Sequence, residues 1–237
     1  YRVTPPLGVA MCGYDKRQGV ATSVHDPLEA RAMVFDDGTR AAALVVADVI
    51  TLTAPQYHRV GRLVERWTGI PRAHVIAAGT HTHSGPTPGE RPSRQSTANG
   101  QFGALLPDLM ASAVKLAWDD RRPAGLAAAA LAVPALTINR REPGARTDPE
   151  LTVVVVRRGR ATSGLLLSFA CHGVVLGPDN LALSADWIGM TRAALARQAP
   201  GTFPLVAVAP SGDVNPLPAS VRRQLQRQGA AAFTNDP

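Results

Sequence analysis

AMVFDDGTRAAALVVAD, residues 32–48, is the stretch on which the fold reading turns. Ala32 to Phe35 is an apolar β-rich run, Asp36-Asp37-Gly38 is a turn signature, and Ala41 to Ala47 is a second apolar run, so together they predict a β-hairpin. Just downstream, Thr53, Ala54 and Pro55 have the chemistry of a helix start, with Thr as N-cap and Pro in the first turn. Tyr57, Val60, Val64 and Trp67 follow at helical spacing, and Gly69 and Pro71 stop the helix. His74 to Ala78 is the next strand. A hairpin followed by a helix and a further strand implies a mixed sheet rather than a purely parallel one.

The same alternation runs outward. Residues 84–103 carry Gly, Pro, Ser and polar side chains without periodicity, which predicts a long loop, and loops of that length are usually functional or mobile. A helix from Leu105 to Trp118 puts Leu106, Leu109, Met110, Ala113 and Ala117 on one face. Later strands are Leu126 to Val133, Leu151 to Val156, Leu165 to Ala170 and Phe203 to Val208. Between the last two, Asp186 to Gln198 reads as a helix, with Ile188, Ala193, Leu195 and Ala196 available for burial. The expectation is an α/β layered sandwich, mixed β-sheets flanked by helices, forming one domain over residues 1–237 with its active site at the carboxyl ends of strands.

Composition narrows the function classes. Of 237 residues 45% are hydrophobic, too many for a chain that cannot bury a core. The longest apolar runs, Ala41 to Ala47 and Leu126 to Val133, fall far short of the ~20 residues of a bilayer-spanning helix. Cys12 and Cys171 are too few for a disulfide framework. The net charge of +7 raises a nucleic-acid reading, but the basic residues are scattered apart from Arg222, Arg223 and Arg227, and only 5% of residues are aromatic, so nucleic acid is not the expected partner. The positive field suits acidic substrates or anionic lipid surfaces instead. The chain opens at Tyr1 with no charged-then-apolar leader, so a signal peptide is expected to be absent or already removed.

Four predicted strands end in polar groups: Ala41 to Ala47 in Asp48, His74 to Thr80 in His81-Thr82-His83-Ser84-Gly85-Pro86, Leu165 to Ala170 in Cys171-His172-Gly173, and Phe203 to Pro210 in Ser211-Gly212-Asp213-Val214-Asn215-Pro216. Alternation on an extended segment puts the imidazoles of His81 and His83 on one side of the chain, where two nitrogens can approach one small site. Neutral imidazole suits Zn²⁺, but an H-x-H pair alone fits metal binding and strand capping about equally. His172, on another strand end, tilts the balance toward metal. Asp48 fits two roles, a carboxylate that orients a ligating histidine or one that caps the helix after Thr53 or bonds loop amides. Ser184 and Asp186 are first of all N-cap candidates, Asp213 and Asn215 fit an Asx turn, and His25, His58 and His74 read as structural or surface residues.

The strand-end segments resemble the amino-terminal catalytic domain of the neutral (non-lysosomal) ceramidases, zinc amidases that cleave N-acyl-sphingosine. Thr80-His81-Thr82-His83-Ser84-Gly85-Pro86 is the most specific signature. Met11-Cys12-Gly13-Tyr14, Val24-His25, Ala30-Arg31-Ala32, Ala47-Asp48, Asn139-Arg140, Phe169-Ala170-Cys171-His172, and Asn180, Ser184 and Asp186 match in order along nearly the whole chain. The resemblance implies that His81 and His172 ligate zinc, that His83 bonds substrate or the developing oxyanion, and that Arg140 shapes the polar end of the pocket. It implies a metal-activated water attacking the amide of a ceramide-like N-acyl lipid or related N-acyl substrate, a peripheral membrane contact, and a secreted or periplasmic location.

Two departures matter. Where relatives carry a serine assigned a direct catalytic part, this chain has Asn215, which has no hydroxyl but keeps an amide able to bond substrate. Relatives also complete the zinc shell with a glutamate and a tyrosine from a later region, so the resemblance implies a chain incomplete at its C-terminus. These departures keep a second class open, a catalytically inactive ceramidase-like domain that binds lipid or glycan. The loop from Gly85 to Gly103 is expected to wall the pocket, with Arg91 and Arg94 either facing anionic groups or simply solvated.

Overall fold

The structure is a computed structural model that describes residues 1–87, 97–142 and 144–217. It divides into two units, the first made of Tyr1–Pro123 with Leu176–Met190, the second of Ala124–Val175 with the described residues from Thr191 onward.

In the first unit the hairpin forms as the sequence predicts. Strands β2 (Ala30–Asp36) and β3 (Ala41–Ala47) are antiparallel, with Asp36 opposite Ala41. Asp37 holds the turn, its Oδ1 accepting from the amides of Thr39 at 2.8 Å and Arg40 at 2.7 Å. β4 (Val75–Gly79) lies parallel to β3, with Gly79 opposite Ala47, so both strands end side by side. A short pair, β1 (Ser23–Val24) and β9 (Ala182–Leu183), is parallel.

Helix α1 (Ala54–Thr68) starts at Thr53 with a complete capping box: the Gln56 amide donates to Thr53 Oγ1, and the Thr53 amide donates to Gln56 Oε1 at 2.9 Å. Gly69 closes it in the left-handed conformation at φ 77°, where a side chain would be strained. The buried face is Gln56, Val60, Gly61, Val64 and Thr68, rotated from the expected stripe. Tyr57 remains 41% exposed. Gln56 takes the inner position because its amide is satisfied there, Nε2 donating to the Gly103 carbonyl at 2.8 Å.

The predicted loop over residues 84–103 is corrected at its C-terminal end. Helix α2 (Thr97–Asp119) includes 97–103, while 88–96, with Arg91 and Arg94, lie outside the described residues. Asn99 and two glycines hide this helical turn from propensity. It forms because buried Asn99 binds the amide and carbonyl of Ala10 and the carbonyl of Thr87. Leu106, Met110 and Val114 then join Leu28, Val45, Val60 and Leu183 in the core.

The second unit holds β5 (Gly125–Ala132), β7 (Glu150–Arg158), β8 (Ala161–Phe169) and β10 (Phe203–Val208), in the order β10-β8-β7-β5. β10 and β8 are parallel and the other pairs antiparallel, the mixed sheet expected. β5 is exposed at every position, so among the described residues this edge is not the covered sheet that its apolar sequence suggests. A smaller pair, β6 (Thr137–Asn139) and β11 (Val214–Pro216), is antiparallel. Helix α3 (Asp186–Gln198) has the predicted bounds and buries Ile188, but Ala193 and Ala196 face solvent and Arg192 takes an inner position. No helix among the described residues is long and apolar enough to cross a membrane.

Candidate functional site

In the first unit the side-by-side ends of β3 and β4 place Asp48 next to Thr80. Asp48 is fully buried; its Oδ2 accepts from the Glu29 amide at 2.8 Å and its Oδ1 from the Thr80 hydroxyl at 3.2 Å. Of its two expected roles the amide-bonding one is seen, with a consequence for the site, since Thr80 immediately precedes His81. Capping of α1 falls to Thr53 and Gln56 instead.

His81 leaves the strand in the left-handed region at φ 61°, a conformation that costs a residue with a Cβ about 1–2 kcal/mol. Its amide donates to the Val49 carbonyl at 3.0 Å, and its ring Nδ1 lies 2.8 Å from the Ile50 carbonyl. His83 follows in a turn, and the two rings meet edge to face with centroids 5.2 Å apart. The pair is thus brought together as expected, but by a strained residue and a turn rather than by strand alternation. Thr82, between them, donates its hydroxyl to the Ser184 carbonyl at 2.8 Å. Asn180 donates to the Ser84 hydroxyl at 3.0 Å.

Ser184 and Asp186 serve the start of α3. The Ser184 hydroxyl donates to Asp26, whose other oxygen accepts the Ala185 amide at 3.0 Å. Asp186 accepts from the amides of Trp187 at 2.8 Å and Leu176 at 3.1 Å. His25 pairs with Asp26, His74 Nδ1 lies 3.1 Å from the Ala41 carbonyl, and His58 is exposed, so all three are structural or surface residues.

In the second unit the end of β8 leads to His172, which is buried. Its amide donates to the Val214 carbonyl at 3.0 Å and its ring Nδ1 lies 3.3 Å from the same oxygen. Arg140 is exposed; its Nε and Nη2 donate to the Gly212 carbonyl at 3.0 and 2.7 Å. Asn139 donates to Asp213 at 2.8 Å, which fixes the turn leading into β11. Asn215 sits in β11 opposite Ile138, and its Oδ1 is buried with no hydrogen-bond partner among the described residues.

Whether zinc suits these residues is tested by the tautomers. An Nδ1 facing a backbone carbonyl carries the proton, which leaves Nε2 as the lone-pair nitrogen. Both His81 and His172 have this arrangement, the usual outer-shell support of a metal-ligating imidazole. The donor chemistry fits zinc.

Sequence reasoning passed over Arg17, which is buried and donates to the carbonyls of His83 at 2.7 Å and Cys12 at 3.0 Å. Burial lowers its pKa from the ordinary arginine value. Neighbouring Tyr14 has its pKa raised above 10.0, first by burial, with Arg17 opposing and Asp186 reinforcing the rise. Nothing in the local sequence separates Arg17 from the chain's other arginines.

The family model for neutral/alkaline non-lysosomal ceramidase, N-terminal, matches residues 3–205. The neutral ceramidase of Mycobacterium tuberculosis is 28% identical over 207 residues, 74% of this chain and 31% of that protein. The crystal structure of the neutral ceramidase from Pseudomonas aeruginosa superimposes with a TM-score of 0.79 at 20% identity, covering 91% of this chain and 38% of that one. A structure of a ceramidase complexed with C2 gives the same TM-score and identity, with 37% of its chain covered. The chain therefore spans about a third of the length of these relatives.

Proposed function

The chain belongs to the neutral/alkaline non-lysosomal ceramidase family, and from that premise we propose that it is the amino-terminal part of a zinc-dependent hydrolase that cleaves the amide bond of a ceramide-like N-acyl lipid. The observation that carries this reading is the matched tautomers of His81 and His172, each with Nδ1 on a backbone carbonyl and Nε2 as the lone-pair nitrogen. Of the proposed donors and their neighbour, His81 is half-buried and His83 and His172 are buried. In this reading His81 and His172 hold the ion and His83 stands beside it.

Bound zinc supplies Lewis acidity and a lowered pKa for water, which an amide, a poor electrophile, requires. The chain's own groups do the rest. His83 donates to the developing oxyanion or passes the proton released by the attacking water to the departing amine. Asn215 offers its buried Oδ1 to a donor on the substrate, which matches the absence of any other donor to it among the described residues. No step uses a hydroxyl at position 215. Arg140, held on the Gly212 carbonyl, bounds the polar end of the pocket. Asp48 acts through Thr80, by keeping His81 in place. A lipid substrate implies peripheral contact with a membrane surface, in keeping with the net charge of +7.

The test is elemental analysis of the purified chain together with N-acyl lipid hydrolysis before and after chelation. Stoichiometric zinc, its loss in His81→Ala and His172→Ala, and activity removed by chelator and restored by Zn²⁺ are the expected results. Asn215 in the place of the family's serine favours one competing reading, an inactive lipid- or glycan-binding domain. Lipid binding without hydrolysis, unchanged by chelator, would establish that reading in place of the enzyme.

A further inference from the structure

We infer that Arg17 is a positioning residue for His83, with Gly13 and Tyr14 completing the seat of the His83 ring. The inference rests on the proposal that His83 faces the reacting amide. Arg17 Nη1 donates to the carbonyls of His83 at 2.7 Å and Cys12 at 3.0 Å, while Nε reaches the Pro178 carbonyl at 3.2 Å and Nη2 the Gly177 carbonyl at 3.3 Å. One guanidinium thus ties three chain segments together. Its face covers the Tyr14 ring, 4.8 Å from the centroid, and the Tyr14 ring in turn meets the His83 ring edge on at 5.0 Å. From the other side Gly13, at φ +104°, brings bare backbone against the imidazole. A Cβ there would lie 2.4 Å from His83 Cγ and Nδ1, which no side chain tolerates.

The choice of residue points the same way. Among the described residues no carboxylate forms an ion pair with Arg17; its partners are carbonyls and an aromatic face. A buried cation without a counter-charge is a poor device for stability, and apolar packing would serve that end better. A rigid planar fork with five donors is well suited to fixing angles between segments, which a lysine ammonium cannot do.

The test compares Arg17→Lys and Gly13→Ala with the unaltered chain in zinc content, N-acyl lipid hydrolysis, and the ¹⁵N-histidine ring resonances. Zinc stoichiometry should persist and the His83 ring resonances should move, while those of His74, held on the Ala41 carbonyl, should not. The kcat should fall by about ten- to a hundredfold, the range that a displacement of an ångström produces, with KM within about twofold. Gly13→Ala crowds the ring and strains its own backbone at φ +104°, so it tests the Gly13 side of the seat, and Arg17→Gln, which keeps a planar amide donor, tests the arginine if Arg17→Lys does not fold. Unmoved His83 resonances with unchanged kcat, or unfolding of all three variants, would overturn the inference. An unaltered chain without zinc or hydrolysis would instead refute the proposed function, and the resonances would still report whether Arg17 positions His83.

Discussion

At Asp48 one buried carboxylate satisfies two donors from distant parts of the chain, the Glu29 amide and the Thr80 hydroxyl. Removing it takes an acceptor from both donors, so Asp48→Ala should cost about 3 kcal/mol in urea unfolding. His81, one residue beyond Thr80, pays for its left-handed backbone in stability. Of two variants that both lose the imidazole, His81→Gly should be more stable than His81→Ala by about 1 kcal/mol, since glycine has no Cβ to clash. Neither variant should retain zinc. Equal stability of the two would show that the φ of 61° is not strained. The spacing of His81 and His83 was legible as a motif, but the mechanism that brings their rings together was not. Alternation on a strand implies a regular backbone, whereas the observed meeting depends on one residue held out of its preferred region by the Val49 and Ile50 carbonyls.

The hairpin and helix α1 were the most readable elements, because their signals are local. Asp37 accepts two turn amides, and these bonds lower its carboxyl pKa from the ordinary 3.8. A depressed folded-state pKa means stabilisation that is complete above the unfolded value and lost as pH falls through the lower folded value. The Tm difference between the unaltered chain and Asp37→Asn should therefore be present at neutral pH and shrink on acidification below about pH 4. A difference that grows with acid would contradict the turn assignment. In α1, Thr53→Ala should cost about 1 kcal/mol through loss of the capping box, read from the midpoint of denaturant unfolding. Elements misread from sequence share one cause, namely that a distant partner overrides local preference. Gln56 is buried in place of Tyr57 because the Gly103 carbonyl waits for it, and α2 extends back to Thr97 because Asn99 is bonded to Ala10.

For the molecule as a whole, the proposed ligands His81 and His172 come from segments far apart in sequence. Zinc that binds only the folded chain should raise its unfolding free energy by about 2.7 kcal/mol at a hundredfold excess over Kd. A thermal melt with and without Zn²⁺ checks this, and His172→Ala should abolish the shift. The matched family and the mixed α/β fold were both legible in the sequence, because strand and helix periods, turn residues and the Thr80 to Pro86 heptapeptide are short-range patterns that survive without coordinates. Tertiary structure alone decided what each polar group does: that Asp48 serves Thr80, that Asn215 keeps a buried acceptor, and that Arg17 grips the His83 carbonyl across 66 positions of chain. The physical reason is that side-chain hydrogen bonds at this site join residues far apart in sequence, and which donor meets which acceptor is set only when the strands and loops that carry them have packed.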